Sequence, residues 1–253
     1  MNPAWLAPRR QPFFVSAGGE EAKLSPELRD TYRAWRLRDL RVYWLTEKQF
    51  FALPRAERAA LVREQVRLGR GAVPTVRAWS DVLDPDTLRA QADGHRFVWW
   101  PSLVNNGVLT RVIENGNARS RHAEVRAWPD IVPNARTLAD TFGGRSGPNC
   151  FGAVMGAAGV AHAAERWMQR EPFERWLRTK CARGGRDDEP GTVLVWRNHA
   201  GDAEHAAITL GDGWAFEKPS QEWWTKRVVL SVDDLKLGNR VRGWRLERRR
   251  LVA

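Results

Sequence analysis

Ser146-Gly147-Pro148-Asn149-Cys150-Phe151-Gly152-Ala153-Val154-Met155 is the stretch on which the reading of this chain turns. A Gly/Pro loop runs into an Ala-rich apolar segment, and the pattern carries one helix from there toward Gln169, with Asn149 as its N-cap. Cys150 then stands in the first helical turn. Backbone N–H groups there have no partner within the helix, and the positive end of the helix dipole favours a thiolate over a thiol. The same N–H groups can receive a developing oxyanion, so one helix end serves both the nucleophile and the transition state. Taken alone, a free cysteine is more often a small buried apolar residue, so Cys150 needs partners before it signifies chemistry.

Working outward, Pro190-Gly191-Thr192-Val193-Leu194-Val195-Trp196 reads as a strand. Glu204-His205-Ala206-Ala207-Ile208-Thr209-Leu210 reads as another, and Gly211-Asp212-Gly213 turns the chain into Trp214-Ala215-Phe216-Glu217-Lys218. The register of this hairpin decides which side chain can orient the His205 imidazole. A three-residue loop from Gly211 to Gly213 sets Ala207 opposite Glu217 and brings Glu217 onto the face of His205. A two-residue loop at Asp212-Gly213 puts Lys218 and Ser220 on that face instead, because a slip of one residue exchanges every side chain. Cys150, His205 and a carboxylate form a nucleophile, its base and an orienting group.

The remaining sequence bounds the answer more than it sharpens it. In 253 residues, 41 basic side chains against 30 acidic give a net charge of +11, which suits nucleic acid, an anionic membrane surface or an acidic wall polymer equally. With a hydrophobic share of 43%, the chain can bury a core. It has no run approaching the roughly 18 to 20 apolar residues of a membrane span, and its first 20 residues do not read as a signal peptide. The expected location is therefore cytoplasmic, or outside the cell by a non-classical export route. Two cysteines, Cys150 and Cys181, exclude a disulfide framework, and Cys181, His162 and His199 lack metal-ligand spacing, so neither metal nor cofactor is expected.

Residues 1–24 read as an extended arm, and 25–130 as an α+β region. The latter has a helix near Pro26 to Arg36, a strand near Leu40 to Leu45, a helix from Arg55 to Leu68, a strand at Arg96 to Trp100, and two strands in Val108 to Val125 around Asn115-Gly116-Asn117. Pro129 to Pro133 marks the boundary, and 131–253 form the domain that carries Cys150. The 14 tryptophans, including Trp99-Trp100 and Trp223-Trp224, read first as core and second as platforms for sugars or bases. Arg248-Arg249-Arg250 reads first as a solvated strand face and second as a phosphate site.

Phe142-Gly143-Gly144 followed by Asn149-Cys150-Phe151-Gly152, then Pro190-Gly191-Thr192, then His205 through Glu217, resembles the NlpC-type peptidases over roughly residues 139–220. Those are papain-like cysteine hydrolases that cleave peptide bonds in bacterial cell-wall stems. The resemblance implies an α+β, papain-like fold with the nucleophile at a helix N-terminus packed on an antiparallel sheet. It implies Cys150, His205 and Glu217 as the catalytic set, and Asn149, Asp140, Trp214 and Lys218 as the substrate contacts. Asp140 stands where the family has an oxyanion-hole Tyr, Thr192 and Asn149 where it has Asp, and Glu217 where His, Asn or Gln is commoner. These departures place the chain with the outlying branches of the superfamily, among amidases, acyltransferases and deamidases. The expected function is cleavage of an amide in a peptide, of the cell-wall kind, through a Cys150 thioester. The competing reading is a non-catalytic, basic, Trp-rich module that holds nucleic acid or glycan on the same scaffold.

Overall fold

In the computed structural model, which describes residues 7–34, 37 and 41–252, the densest β-forming runs become strands of two antiparallel sheets, one in each of two compact units that meet in sequence at Asn115/Gly116. In the first unit, β1 (Arg10–Val15) and β2 (Glu20–Glu21) flank β3 (Arg41–Thr46). Residues 7–24 are therefore not an extended arm: Phe13 and Phe14 are buried, and Phe13 stacks on Phe50 at 5.2 Å. Pro12 does not prevent this, because β1 is an edge strand where a missing N–H costs no ladder bond. The outer edge of β1 is closed by buried Gln65, which accepts from the Phe14 N–H and donates to the Phe14 carbonyl.

Helices α1 (Pro26–Thr31), α2 (Glu47–Ala52), α3 (Arg55–Arg67) and α4 (Pro85–Ala90) complete this layer. Trp35, Arg36 and Leu40, which the sequence places in a helix and a strand, lie outside the described residues. Phe97 to Trp100 are buried and extended but form no strand, with a single bridge between Thr75 and Arg96. Pro74 accepts from the Phe97 N–H but has no N–H to return, so the ladder stops. The two strands expected in Val108 to Val125 are absent. Residues Asn106–Gly116 form α5, because Val108, Leu109, Val112 and Ile113 repeat at helical spacing and the Asn105 side-chain Oδ1 accepts from the Val108 N–H as a cap.

The second unit starts ahead of Pro129. Asn117 donates to the Trp224 carbonyl and accepts from the Lys226 N–H, and the Arg121 N–H donates to the Val229 carbonyl, so residues 117–125 lie along this unit's own structure. Its helices are α6 (Ala135–Leu138), α7 (Cys150–Ala157), α8 (Arg170–Lys180) and α9 (Val232–Gly238). Its strands are β4 (Cys181–Arg183), β5 (Thr192–Arg197), β6 (Ala203–Gly211), β7 (Trp214–Glu217), β8 (Val228–Ser231) and β9 (Arg245–Leu251), in the order β4-β9-β5-β6-β7-β8, all antiparallel. Strand alternation divides the core. Val193, Val195, Ile208 and Phe216 pack under α7, while Leu194, Ala207 and Ala215 pack under Val232 and Leu235 of α9. The fold is mixed α+β with antiparallel sheets. Among the described residues, no helix is long and apolar enough to cross a membrane.

Candidate active site

Helix α7 is short and tightly bounded. The Asn149 side chain accepts from the Gly152 N–H at 3.0 Å and donates to the Met168 carbonyl at 2.8 Å, so both ends of its amide are used inside the fold, as cap and strut. The helix ends at Ala157 rather than continuing toward Gln169. Gly159, at φ +91°, closes a Schellman motif in which the Val160 N–H donates to the Met155 carbonyl and the Gly159 N–H to the Gly156 carbonyl. A Cβ on Gly152 would stand 2.5 Å from the Ala163 carbonyl oxygen, so only glycine lets the segment after α7 lie against its first turn. Cys150, first residue of the helix, has an N–H that finds no acceptor among the described residues, as the geometry of a first turn dictates.

The hairpin solves the register question by a route absent from the sequence reading. Its loop is the two-residue one: Gly211 pairs with Trp214, and Asp212 and Gly213 both have positive φ, at 51° and 78°. A bulge between Thr209 and Gly211 then absorbs one residue, and Ala207 pairs with Glu217, the register a three-residue loop would give. His205 and Glu217 thus flank Ala207 on one face, and Nε2 of the imidazole lies 2.6 Å from Oε2 of Glu217. Since Nε2 is engaged by the carboxylate, Nδ1 is the nitrogen left for the nucleophile, and Cys150 lies near enough to raise the pKa of this imidazole. Trp196 lies beside the ring, centroid to centroid 5.4 Å. Exposure is 7% for Cys150, 7% for His205 and 4% for Glu217.

Burial is the strongest single influence on His205 and pulls its pKa down. It is outweighed by Cys150, through charge and hydrogen bond, and by Glu217, through hydrogen bond and charge, and the net result is a pKa raised to about 10. For Cys181, burial, only partly offset by the charge of Arg249, pushes the thiol up to about 12. Both cysteines are free.

Each of the four expected substrate contacts has partners within the fold. Asn149 is the helix cap described above. Asp140, in the left-handed region at φ 58°, pairs with the Lys226 ammonium at 2.9 Å. Trp214 stands beside the hairpin turn, at the opposite end of the strand pair from His205, with the Arg121 guanidinium 4.6 Å above its ring. Lys218, 0% exposed, donates to the carbonyls of Ser220, Glu222 and Thr225 and to the Thr225 hydroxyl, at 2.7 to 3.1 Å. The residue bonded to His205 is Glu217, whereas Lys218 and Ser220, whose hydroxyl bonds that of Thr225, make their bonds within the 218–225 loop.

Two features were missed from sequence. Buried Arg227 donates to the Thr141 hydroxyl, the Phe142 and Ala164 carbonyls and the Glu165 carboxylate, tying down the Phe-Gly-Gly segment ahead of Cys150. The Gly147 N–H then donates to the Gln221 carbonyl, joining the loop before the nucleophile to the loop held by Lys218. Asn239, at the end of α9, donates to Oε2 of Glu217 at 3.1 Å. No local signal marks it, since it lies 22 positions from its partner. Ser146, four residues before Cys150, is buried, and its hydroxyl finds no partner among the described residues.

The tryptophan pairs 99-100 and 223-224 are buried. Each guanidinium of Arg248, Arg249 and Arg250 faces a carboxylate, of Asp187, Glu247 and Glu189 respectively. Compared with family models, with curated proteins and with solved structures, the chain finds no match in any of the three.

Proposed function

We propose that the second unit is a cysteine hydrolase that cleaves an amide bond through a thioester on Cys150, on a papain-like scaffold of the NlpC-type kind. The observation that carries the reading is the buried chain of Cys150, His205 and Glu217, with the carboxylate 2.6 Å from Nε2. Glu217 accepts from Nε2–H, so Nδ1 takes the thiol proton. The thiolate attacks the carbonyl carbon, the C–S bond forms, and the carbonyl electron pair moves to oxygen. That oxyanion is received by the Cys150 N–H, with the partnerless Ser146 hydroxyl as the second donor. Collapse breaks the C–N bond, and the amine leaves with the proton from Nδ1. Water, deprotonated by the same nitrogen, then hydrolyses the thioester and restores the thiol.

A peptide amide of the cell-wall type is the substrate class that the sequence resemblance implies, with other peptide amides as its neighbours. The binding-module reading is weaker, because Arg248 to Arg250 are each already paired with a carboxylate and the tryptophan pairs are buried rather than offered as platforms. The test is turnover of a panel of peptide amides, wall-stem peptides included, by wild type and Cys150→Ala, with mass spectrometry of the protein during turnover. The expected result is an acyl adduct on Cys150 and no turnover in the variant. Turnover by Cys150→Ala would overturn the proposal.

A further inference from the structure

The carboxylate that holds His205 is itself held. Asn239 offers two amide hydrogens. One goes to the Leu235 carbonyl at 3.0 Å, the other to Oε2 of Glu217 at 3.1 Å, the same oxygen that meets Nε2 of His205 at 2.6 Å. Because both neighbours of the amide nitrogen are acceptors, the reversed orientation would set oxygen against oxygen, and the direction of this bond is fixed. Helix α9 delivers the residue. Its start is tied beside the hairpin turn, where the Val232 N–H donates to the Gly213 carbonyl and the Ser231 hydroxyl caps Asp234. Val232 and Leu235 bury against Leu194, Ala207 and Ala215, which lays the helix along the strands and sets its last carbonyl-bonded residue, Asn239, at Glu217.

From this we infer that Asn239 is a positioning residue that acts through Glu217: it keeps the carboxylate in place, and thereby fixes the proton of the His205 imidazole on Nε2 and leaves Nδ1 facing Cys150. A carboxylate can only accept, so the imidazole must donate from the nitrogen that faces it. The groups whose charge acts on this imidazole are Cys150 from α7 and Glu217 from β7. The inference rests on the cysteine-hydrolase reading for its consequence, though not for its geometry.

The experiment follows the imidazole nitrogens of His205 by 15N resonance in full-length protein from pH 5 to 10.5, in wild type, Asn239→Ala, Glu217→Gln and the double variant. Cys150 alkylation by iodoacetamide is measured alongside. Asn239→Ala is expected to lower the His205 midpoint by about half a pH unit or more, to populate the Nδ1–H tautomer, and to slow alkylation at pH 6 by roughly 10-fold, the scale of losing an outer hydrogen-bond partner. In the Glu217→Gln background the same replacement should add nothing, because the path to His205 is already cut. Asn239→Ser keeps a polar helix end without the reach to Glu217, so it should behave as the alanine variant does even if that one folds poorly. A folded variant with the wild-type titration and tautomer would overturn the inference, as would equal effects in both backgrounds. Failure of the hydrolase reading looks different: alkylation of Cys150 indifferent to His205→Ala, whatever the imidazole tautomer.

Discussion

Two buried basic side chains in the second unit, His205 and Lys218, are handled in opposite ways. The imidazole faces a carboxylate and a thiol, groups that can exchange a proton with it. The ammonium donates to three carbonyls and a hydroxyl within its own loop. On the proposed function the first arrangement is reactive and the second structural, although Lys218 follows directly on Glu217 in sequence. What separates them is one residue of register, since the bulge after Thr209 turns Glu217 rather than Lys218 toward His205. Chemistry at this centre depends on partners with exchangeable protons, and burial alone does not supply it.

The contrast breaks most visibly under substitution of the reactive side. Cys150→Ala and His205→Ala are each expected to reduce turnover by roughly 10⁶-fold, with the double variant no worse, because residues that act as a unit are not additive. Their melting temperatures should stay close to wild type, and steady-state kinetics with thermal denaturation of the three variants checks both. On the structural side, Lys218→Ala orphans three carbonyls inside the 218–225 loop and should cost on the order of 3 kcal/mol or more. Urea denaturation measures this, and an unchanged midpoint would place Lys218 among the reactive groups after all. Ser146→Ala sharpens the reactive half: loss of an oxyanion donor predicts about a 10²-fold fall in kcat with KM little changed, whereas an idle buried hydroxyl predicts no kinetic effect.

The smallest effect is on stability against pH. His205 is raised from 6.5 to about 10, so the stability it contributes is fully present below about 6.5 and is lost as pH rises through about 10. Melting temperature should therefore decline between pH 8 and pH 10.5 in wild type, with a shallower decline in His205→Gln. Parallel curves would remove His205 from the account of alkaline stability.

Much of the site was legible because its signals are local. Asn149 before an apolar run gives the cap and hence the place of Cys150, and period-two alternation gives the strands of His205 and Glu217. The register was legible only as two alternatives, since a bulge leaves little trace in composition. The far ends of the hydrogen-bond network, Asn239 and Arg227, were invisible because their partners are distant in sequence and chosen by packing. The bonds of Asn149 and Lys218 were illegible for a related reason: a polar residue beside a nucleophile looks available until its partners Gly152, Met168 or Ser220 are seen. In the first unit, Asn115-Gly116 was read as a hairpin turn when it ends a helix, a case where the turn dipeptide outweighed the spacing of Val108, Leu109, Val112 and Ile113. Phe13-Phe14-Val15 was hidden behind Pro12, whose effect on a strand depends on whether the strand lies at an edge.

The claim at the centre is that Cys150 is an activated nucleophile and not a small buried side chain, and alkylation tests it without knowledge of the substrate. Folded protein is treated with iodoacetamide from pH 4 to 9, and the labelled sites are assigned by mass spectrometry, in wild type and in His205→Ala. The account predicts rapid labelling of Cys150 well below pH 8, slowed by the His205 replacement, with Cys181 unlabelled. A Cys150 that stays unreactive, or that labels with the pH profile of an ordinary thiol whether or not His205 is present, would contradict it.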